Sequence, residues 1–217
     1  MYKLVIFDMD GTTVETIDGI ANSGNIIFGS YGYPPLPASF YKQSIGNGAK
    51  KLLELVMNEY KMDISKTDEV IAKFMQHYSE NWDYQITLYD GVKKMIATLL
   101  ENGIICTINT NKPQNIAAKI VDLFFKNDEI SIFIGQQEKY RRKPDPQAVD
   151  IIIDQFGIDK ADTIYVGDGD VDVNTAKNAG IKCIGVPWGY GQLEEVKKAD
   201  YFANSMEELT AIILGSN

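Results

Sequence analysis

The chain has 217 residues, 45% of them hydrophobic and 24% charged, which suits one globular core with or without a small inserted domain. Its net charge of −9 argues against nucleic acid as the main partner, because phosphates require a basic patch. No apolar stretch approaches the roughly 20 residues of a membrane span, and the run before Asp8 is too short for a signal peptide. We therefore expect a cytoplasmic protein that does not bind a membrane, in which Cys106 and Cys183 are buried free thiols.

The first predicted element is an apolar strand that ends in two carboxylates. The run from Leu4 to Phe7 is typical of a strand buried on both faces of a parallel sheet. Asp8 and Asp10 follow at its carboxyl end, the edge at which open α/β sheets place their active sites. Paired carboxylates at the end of a buried strand indicate a metal site.

The pattern then becomes helical and later alternates between strand and helix. Apolar spacing predicts helices and no strand within residues 15–87. Four further strands are predicted at 104–109, 130–134, 163–167 and 181–186, with helices between them. Five strands in this order predict an α/β fold with a doubly wound parallel five-stranded sheet. The expected domains are a catalytic core of residues 1–14 and 88–217 and an inserted α-helical cap of residues 15–87.

Further chemistry-bearing residues follow the ends of the predicted strands. Thr110 and Asn111 follow the second strand, at a helix start that can present N–H groups to an anion. Lys143 lies in a Lys-Pro-Asp-Pro segment, and Asp168 and Asp172 follow the fourth strand. Carboxylates with open positions suit Mg²⁺, lysine offers a point charge to phosphoryl oxygens, and threonine can donate to another oxygen. One aspartate could attack phosphorus while a second moves the proton.

Each residue taken alone also has a simpler interpretation. Asp8 could be a turn or cap residue, and Lys143 could be a solvated loop lysine. The acidic run from Asp168 is similar to the start of a calcium loop, but Val173 and Ala179 stand where glycine and glutamate are required. The four signals occur together in the expected order, and this favours a catalytic site over four independent coincidences.

The same residues carry a resemblance to a known family. Four parts of the sequence resemble, in order, the four motifs of the haloacid dehalogenase-like phosphatase superfamily. They are the Asp-Met-Asp-Gly-Thr segment at 8–12, Thr110, Lys143, and Asp168 with Asp172. The resemblance covers essentially the whole chain and implies the Rossmann-type sheet with a helical cap after the first strand. It also implies that the protein is a phosphatase acting on a small phosphate ester.

The resemblance further implies roles for individual residues. Asp8 would be the nucleophile that forms an aspartyl-phosphate, and Asp10 would protonate the leaving alcohol and then activate water. The implied phosphate site comprises Asp8, Met9, Asp10, Thr110, Asn111 and Lys143. The implied Mg²⁺ ligands are Asp8, the backbone carbonyl of Asp10, Asp168 and Asp172, the last as an outer or additional ligand.

Within the superfamily the chain resembles phosphoglycolate phosphatases. The loop at 45–49 is similar to their substrate loop, and the segment at 187–191 to one that follows their fifth strand. We therefore expect 2-phosphoglycolate as the substrate, with Gly46, Asn47, Gly48 and Lys50 as specificity residues of the cap.

Several alternatives stay open. They are a pyrophosphatase or nucleotidase of the same family, a catalytically silent binding protein, and a sugar phosphomutase. The mutase is disfavoured because Ile20 stands where mutases carry a hinge histidine. The chain also departs from the common pattern at Gly169, Thr13 and Glu15. The oligomeric state is left as monomer or homodimer.

Overall fold

The computed structural model describes residues 1–46, 48–126 and 128–215. Its strands are, in chain order, β1 (Leu4–Phe7), β2 (Val14–Glu15), β3 (Thr87–Leu88), β4 (Ile105–Pro113), β5 (Ile132–Gln136), β6 (Thr163–Gly167), β7 (Lys182–Gly185) and β8 (Tyr201–Phe202). Its α-helices are α1 (Ile17–Gly29), α2 (Ala38–Tyr41), α3 (Ala49–Glu59), α4 (Thr67–Glu80), α5 (Val92–Glu101), α6 (Gln114–Phe124), α7 (Gln147–Phe156), α8 (Asp170–Ala179), α9 (Leu193–Val196) and α10 (Met206–Leu214). Short 3₁₀ segments occur at Lys42–Ser44, Ile64–Lys66 and Lys160–Asp162.

The larger sheet is parallel and has the order β5-β4-β1-β6-β7-β8. The chain builds outward from β1 to one edge and then from β6 to the other, which is the doubly wound arrangement predicted from the sequence. Neighbouring strands β1 and β6 therefore mark the point where the winding reverses, and ligands of such sheets bind outside the carboxyl ends of the strands at that point.

The β1 strand is apolar throughout because both of its faces are covered. Leu4 and Ile6 pack in one core layer with residues of α7, whereas Val5 and Phe7 pack in the opposite layer with residues of α5 and α6. All four side chains are fully buried. A strand buried on both faces has no need of polar alternation, so the unbroken run in the sequence was a sound indicator.

The structure differs from the sequence prediction in its strands. The main sheet has six strands rather than five, because the two-residue β8 pairs with β7 at one edge. Residues 15–87 were predicted to lack strands, but β2 and β3 form a two-residue antiparallel ribbon at the two ends of that segment. The β4 strand continues to Pro113, past its predicted end at 109, with a register irregularity between Asn109 and Pro113.

Between β2 and β3 the described chain forms helices, of which α1 and α3 both pack against α4. The division into a core and a cap at residues 15–87 stays a prediction. Among the described residues, no helix combines the length and the apolar character needed to cross a membrane.

Candidate active site

Asp8 lies immediately after β1 and is almost completely buried, with 5% of its surface exposed. Its backbone N–H donates to the Val166 carbonyl at 2.9 Å, which continues the pairing with β6. The Lys143 Nζ lies 2.8 Å from Asp8 Oδ1, but its aligned hydrogen bond goes to Asp172 Oδ1 at 2.7 Å. Asp8 Oδ1 therefore has no well-aligned hydrogen-bond donor among the described residues.

Burial and the Asp172 carboxylate together raise the pKa of Asp8 well above its usual range, against the opposing effect of Lys143. The same burial disfavours the charge on Lys143, but the Asp172 and Asp8 carboxylates overcome it and raise the Lys143 pKa. Lysine is thus held as a cation between two carboxylates, which is the state that can attract a phosphoryl group.

A tight turn after Asp8 directs the chain back over the site. The Met9 carbonyl accepts the Val14 N–H at 2.9 Å, and Gly11 adopts a φ of +87°. A β-carbon on Gly11 would stand 2.5 Å from Asp168 Oδ2, so the turn requires glycine both for its φ and for the close approach. The Met9 side chain is fully buried in the core, so only its backbone is available to a ligand.

Asp10 is held by a lysine that the sequence analysis did not select. Lys112 Nζ donates to Asp10 Oδ1 at 2.8 Å and to Oδ2 at 3.1 Å, and the Thr16 hydroxyl donates to Oδ1 at 2.7 Å. The Lys112 side chain is 2% exposed. Burial disfavours its charge, but the Asp10 carboxylate raises the Lys112 pKa above the ordinary value. The Asp10 carboxyl is consequently fixed in one orientation at the edge of the site.

Thr110 and Asn111 lie on the irregular end of β4. The Thr110 hydroxyl oxygen accepts the Lys112 N–H at 3.1 Å, which leaves its own proton to donate. The Asn111 side chain accepts the Lys143 N–H at 3.0 Å and donates to the Gly46 carbonyl at 2.8 Å. Asn111 therefore connects the loop that carries Lys143 to the loop of the predicted cap.

Two further carboxylates follow β6. Asp168 Oδ1 accepts from the Thr12 hydroxyl at 2.8 Å, and Oδ2 accepts the Tyr190 N–H at 2.7 Å. Burial and the Asp172 charge raise the pKa of Asp168 to about 6, against these two hydrogen bonds. Asp172 lies in the first turn of α8, where its Oδ2 accepts the Gly169 N–H at 3.1 Å.

The carboxylates after β1 and β6 fit a divalent cation. Asp8, Asp168 and Asp172 each offer an oxygen, and these oxygens lie within 4.8 Å of one another. A cavity of about 80 Å³ lies against all three, and Asp8 Oδ1 is buried without an aligned hydrogen bond from the described residues. Buried oxygen donors of this kind suit a hard cation such as Mg²⁺ or Ca²⁺. The Asp10 side chain is outside the cluster, because Lys112 and Thr16 engage it.

A larger cavity of about 310 Å³ joins the predicted catalytic residues to the predicted cap. Asp8, Asp10, Thr110, Asn111 and Lys143 line its inner end. The predicted specificity residues Gly46, Gly48 and Lys50 also line it, although the Lys50 side chain is 66% exposed and stands at the rim. Asn47 lies outside the described residues.

Tyr78, whose helical spacing with Phe74 predicts a packing residue, also reaches this cavity from α4. Its ring stacks on Phe74, and Lys112 Nζ lies 5.1 Å from the ring centroid. The Tyr78 hydroxyl is buried and has no hydrogen-bond partner among the described residues. The predicted cap thus contributes a buried hydroxyl to the cavity that a ligand can engage.

Comparisons with known proteins identify the family of this chain. The family model for haloacid dehalogenase-like hydrolases matches residues 5–186. Phosphoglycolate phosphatase 1 of Pseudomonas aeruginosa is 31% identical over 193 residues, which are 87% of this chain and 70% of that protein. Phosphoglycolate phosphatase of Haemophilus influenzae is 29% identical over 195 residues, 87% of each chain.

Solved structures of similar proteins show the same fold. A predicted phosphoglycolate phosphatase from Haemophilus somnus superimposes with a TM-score of 0.88 and 25% identity, over 100% of this chain and 98% of that one. A haloacid dehalogenase-like family hydrolase from Streptococcus pneumoniae has a TM-score of 0.87 at 19% identity, over 97% and 98% of the two chains. The chain belongs to the haloacid dehalogenase-like hydrolase family.

Proposed function

We propose that this protein is a Mg²⁺-dependent phosphomonoester hydrolase that works through an aspartyl-phosphate on Asp8. The observation that carries the proposal is the position of the Asp8 carboxylate, 2.8 Å from the Lys143 ammonium and within a cluster of three carboxylates. Family membership and the names of the curated relatives support the same reaction class.

Asp8, Asp168 and Asp172 would hold the cation, with the Asp10 backbone carbonyl as a further ligand. When bound, Mg²⁺ neutralises negative charge on the carboxylates and on the phosphoryl oxygens. Beside a cation and Lys143, the Asp8 carboxylate is ionised at neutral pH in spite of its burial, so it needs no base to act as a nucleophile.

The reaction then proceeds in two displacements at phosphorus. Asp8 attacks the phosphorus atom, the bond to the ester oxygen breaks, and Asp10 gives its proton to the departing alkoxide. Water next attacks the phosphorus of the aspartyl-phosphate, Asp10 takes a proton from that water, and the bond to Asp8 breaks. Lys143 and the Thr110 hydroxyl stabilise the charge on the transferring group, which is the main contribution expected of a protein in phosphoryl transfer.

Lys112 and Thr16 support the orientation of Asp10 that this role requires. Their hydrogen bonds fix the carboxyl on the cavity side of the 8–12 turn, where the leaving oxygen would lie. A fixed orientation matters because proton transfer requires hydrogen-bond distance to the reacting oxygen.

The names of the curated relatives favour 2-phosphoglycolate as a substrate. Residues 15–87, as a cap over the cavity, would select the leaving group, since the core contacts only the phosphate. The alternative activities differ in substrate or in product. Faster hydrolysis of pyrophosphate or of nucleotides than of other esters would favour a pyrophosphatase or a nucleotidase. An isomerised sugar phosphate without free phosphate would favour a mutase.

The test is phosphate release from a panel of esters with Mg²⁺ or with EDTA. Asp8→Asn keeps the shape of the side chain but removes the nucleophile, and we expect activity to fall by at least about 10³-fold. Asp154→Asn, an exposed position on α7, is the matched control and should keep full activity. Full activity in Asp8→Asn, or equal turnover in EDTA, would contradict the proposal.

A further inference from the structure

The cap side of the 310 Å³ cavity is apolar except for the Tyr78 hydroxyl and for Lys50 at its rim. Its lining there comes from α1, from the loop before α3, and from α3 and α4. The apolar side chains concerned are Ile20, Ile45, Leu52, Ile71, Phe74 and Met75. A pocket of this volume is at the lower end of those that take drug-sized ligands, roughly 300–1,000 Å³, and it is more than a two-carbon acid needs.

The cations near the ester end of the cavity are already paired. A glycolate leaving group carries its carboxylate two bonds from the ester oxygen, so the cation that binds it must lie close to Asp10. Among the described lining residues at that depth, Lys112 is engaged by Asp10 and Lys143 by Asp8 and Asp172.

The remaining lining cations, Lys50 and Arg142, are exposed. Arg142 lies against Gly48 in the outer loop, and Lys50 stands at the start of α3 beside Glu54. Apart from Lys50 and Tyr78, the side chains of residues 15–87 that line the cavity are apolar. A small anionic leaving group would face that lining instead of a counter-charge, which costs free energy.

We propose that the protein prefers phosphomonoesters whose leaving alcohol is apolar and larger than glycolate, with Ile71 and Met75 as specificity-determining residues. This inference rests on the proposed phosphatase function and concerns the order of substrates. It allows turnover of 2-phosphoglycolate, but at lower efficiency. The half-buried Ile71 and Met75 side chains on α4 would cover the alkyl chain as it leaves the ester oxygen.

The test uses ethyl, butyl and hexyl phosphate together with 2-phosphoglycolate. The three alkyl esters have leaving groups of nearly equal basicity, so differences in kcat/KM report contact with the cavity and not the chemistry of bond cleavage. Burial of each added methylene should raise kcat/KM about fourfold until the cavity is filled. The kcat/KM for hexyl phosphate should also exceed that for 2-phosphoglycolate.

Two substitutions test the residues. Ile71→Asn should lower the hexyl-to-ethyl ratio of kcat/KM at least about fivefold. Ile26→Asn is the control, because Ile26 is exposed on α1 and is not part of the lining. If Ile71→Asn does not fold, Met75→Gln, at a half-buried position one turn further along α4, tests the same prediction.

The possible outcomes separate failure of this inference from failure of the proposed phosphatase function. A ratio near one across the alkyl series, or 2-phosphoglycolate as a better substrate than hexyl phosphate, overturns this inference but leaves the phosphatase function standing. If wild type releases no more phosphate from any ester than Asp8→Asn does, the proposed function itself fails, and this inference fails with it.

Discussion

Replacement of Asp168 by asparagine should stabilise the metal-free protein and abolish its stabilisation by Mg²⁺. Asp168 is a buried carboxylate beside Asp172, and both effects raise its pKa to about 6. Its hydrogen bonds, from Thr12 and from the Tyr190 and Gly191 N–H groups, offset only part of that penalty. Asparagine can keep these contacts, since its carbonyl oxygen accepts the N–H groups and its amide can donate to the Thr12 oxygen.

The sign and size of the effect follow from the pKa of Asp168. The folded pKa of about 6 lies above the ordinary value of 3.8, so between these two pH values the folded state binds more protons than the unfolded one. The free energy of unfolding of the metal-free protein therefore falls as the pH rises from about 4 to about 6. A shift of about two pKa units corresponds to about 3 kcal/mol. The free energy of unfolding of metal-free Asp168→Asn should therefore exceed that of wild type by up to this amount at pH 7 and by about half of it at pH 5.

Urea unfolding in EDTA at pH 5 and pH 7, repeated with excess Mg²⁺, measures both effects. At a concentration of 100 times Kd the cation should stabilise wild type by about 2.7 kcal/mol, and Asp168→Asn by much less. Asp154→Asn, at an exposed position, should match wild type throughout. If Asp168→Asn lowers the free energy of unfolding in EDTA at pH 7, the hydrogen bonds of Asp168 outweigh its buried charge and the reasoning is wrong.

Two further substitutions test the surroundings of the carboxylates. Lys112→Met removes the ion pair that orients Asp10. Steady-state kinetics should therefore show a kcat that is lower by ~10²–10⁴-fold, the range of general acid–base catalysis, with KM little changed. An unchanged kcat would show that Lys112 does not contribute to catalysis. Gly11→Ala places a β-carbon against the Asp168 carboxylate and should raise the Mg²⁺ concentration needed for half-maximal thermal stabilisation. Gly32→Ala is the control because Gly32 has nearly the same φ, +86°, with open space around it, so equal Mg²⁺ affinities in both variants would refute the argument.

Much of the fold could be predicted because its strands carry strong local patterns. The β1 run is apolar on both faces, and β6 and β7 are similarly buried. The strands that were missed, β2, β3 and β8, have two residues each, too few to show any periodicity. Their pairing is decided by the partner strand that the tertiary structure places beside them, so the local sequence holds little information about them.

The carboxylates and Lys143 were predictable because each follows a recognisable strand or stands in a distinctive motif, and the structure brings them together. Lys112 was missed for a specific reason. Residues two apart on a strand share a face, so Thr110 and Lys112 would have been paired had β4 been extended past 109. Tyr78 is different, since its helical spacing indicates packing, and only the position of α4 over the core brings its hydroxyl to the cavity.

The charge balance of the site connects these observations. Four carboxylates after β1 and β6 face two buried ammonium groups, and each ammonium is already within 3.1 Å of two carboxylate oxygens. If all six groups are ionised, four negative charges against two positive ones leave a surplus of two, which burial makes costly. Without a cation the surplus appears as raised pKa values at Asp8 and Asp168. A divalent cation would remove this surplus. The burial that penalises the metal-free site would therefore favour the cation, and then the phosphoryl group that the cation and Lys143 would attract.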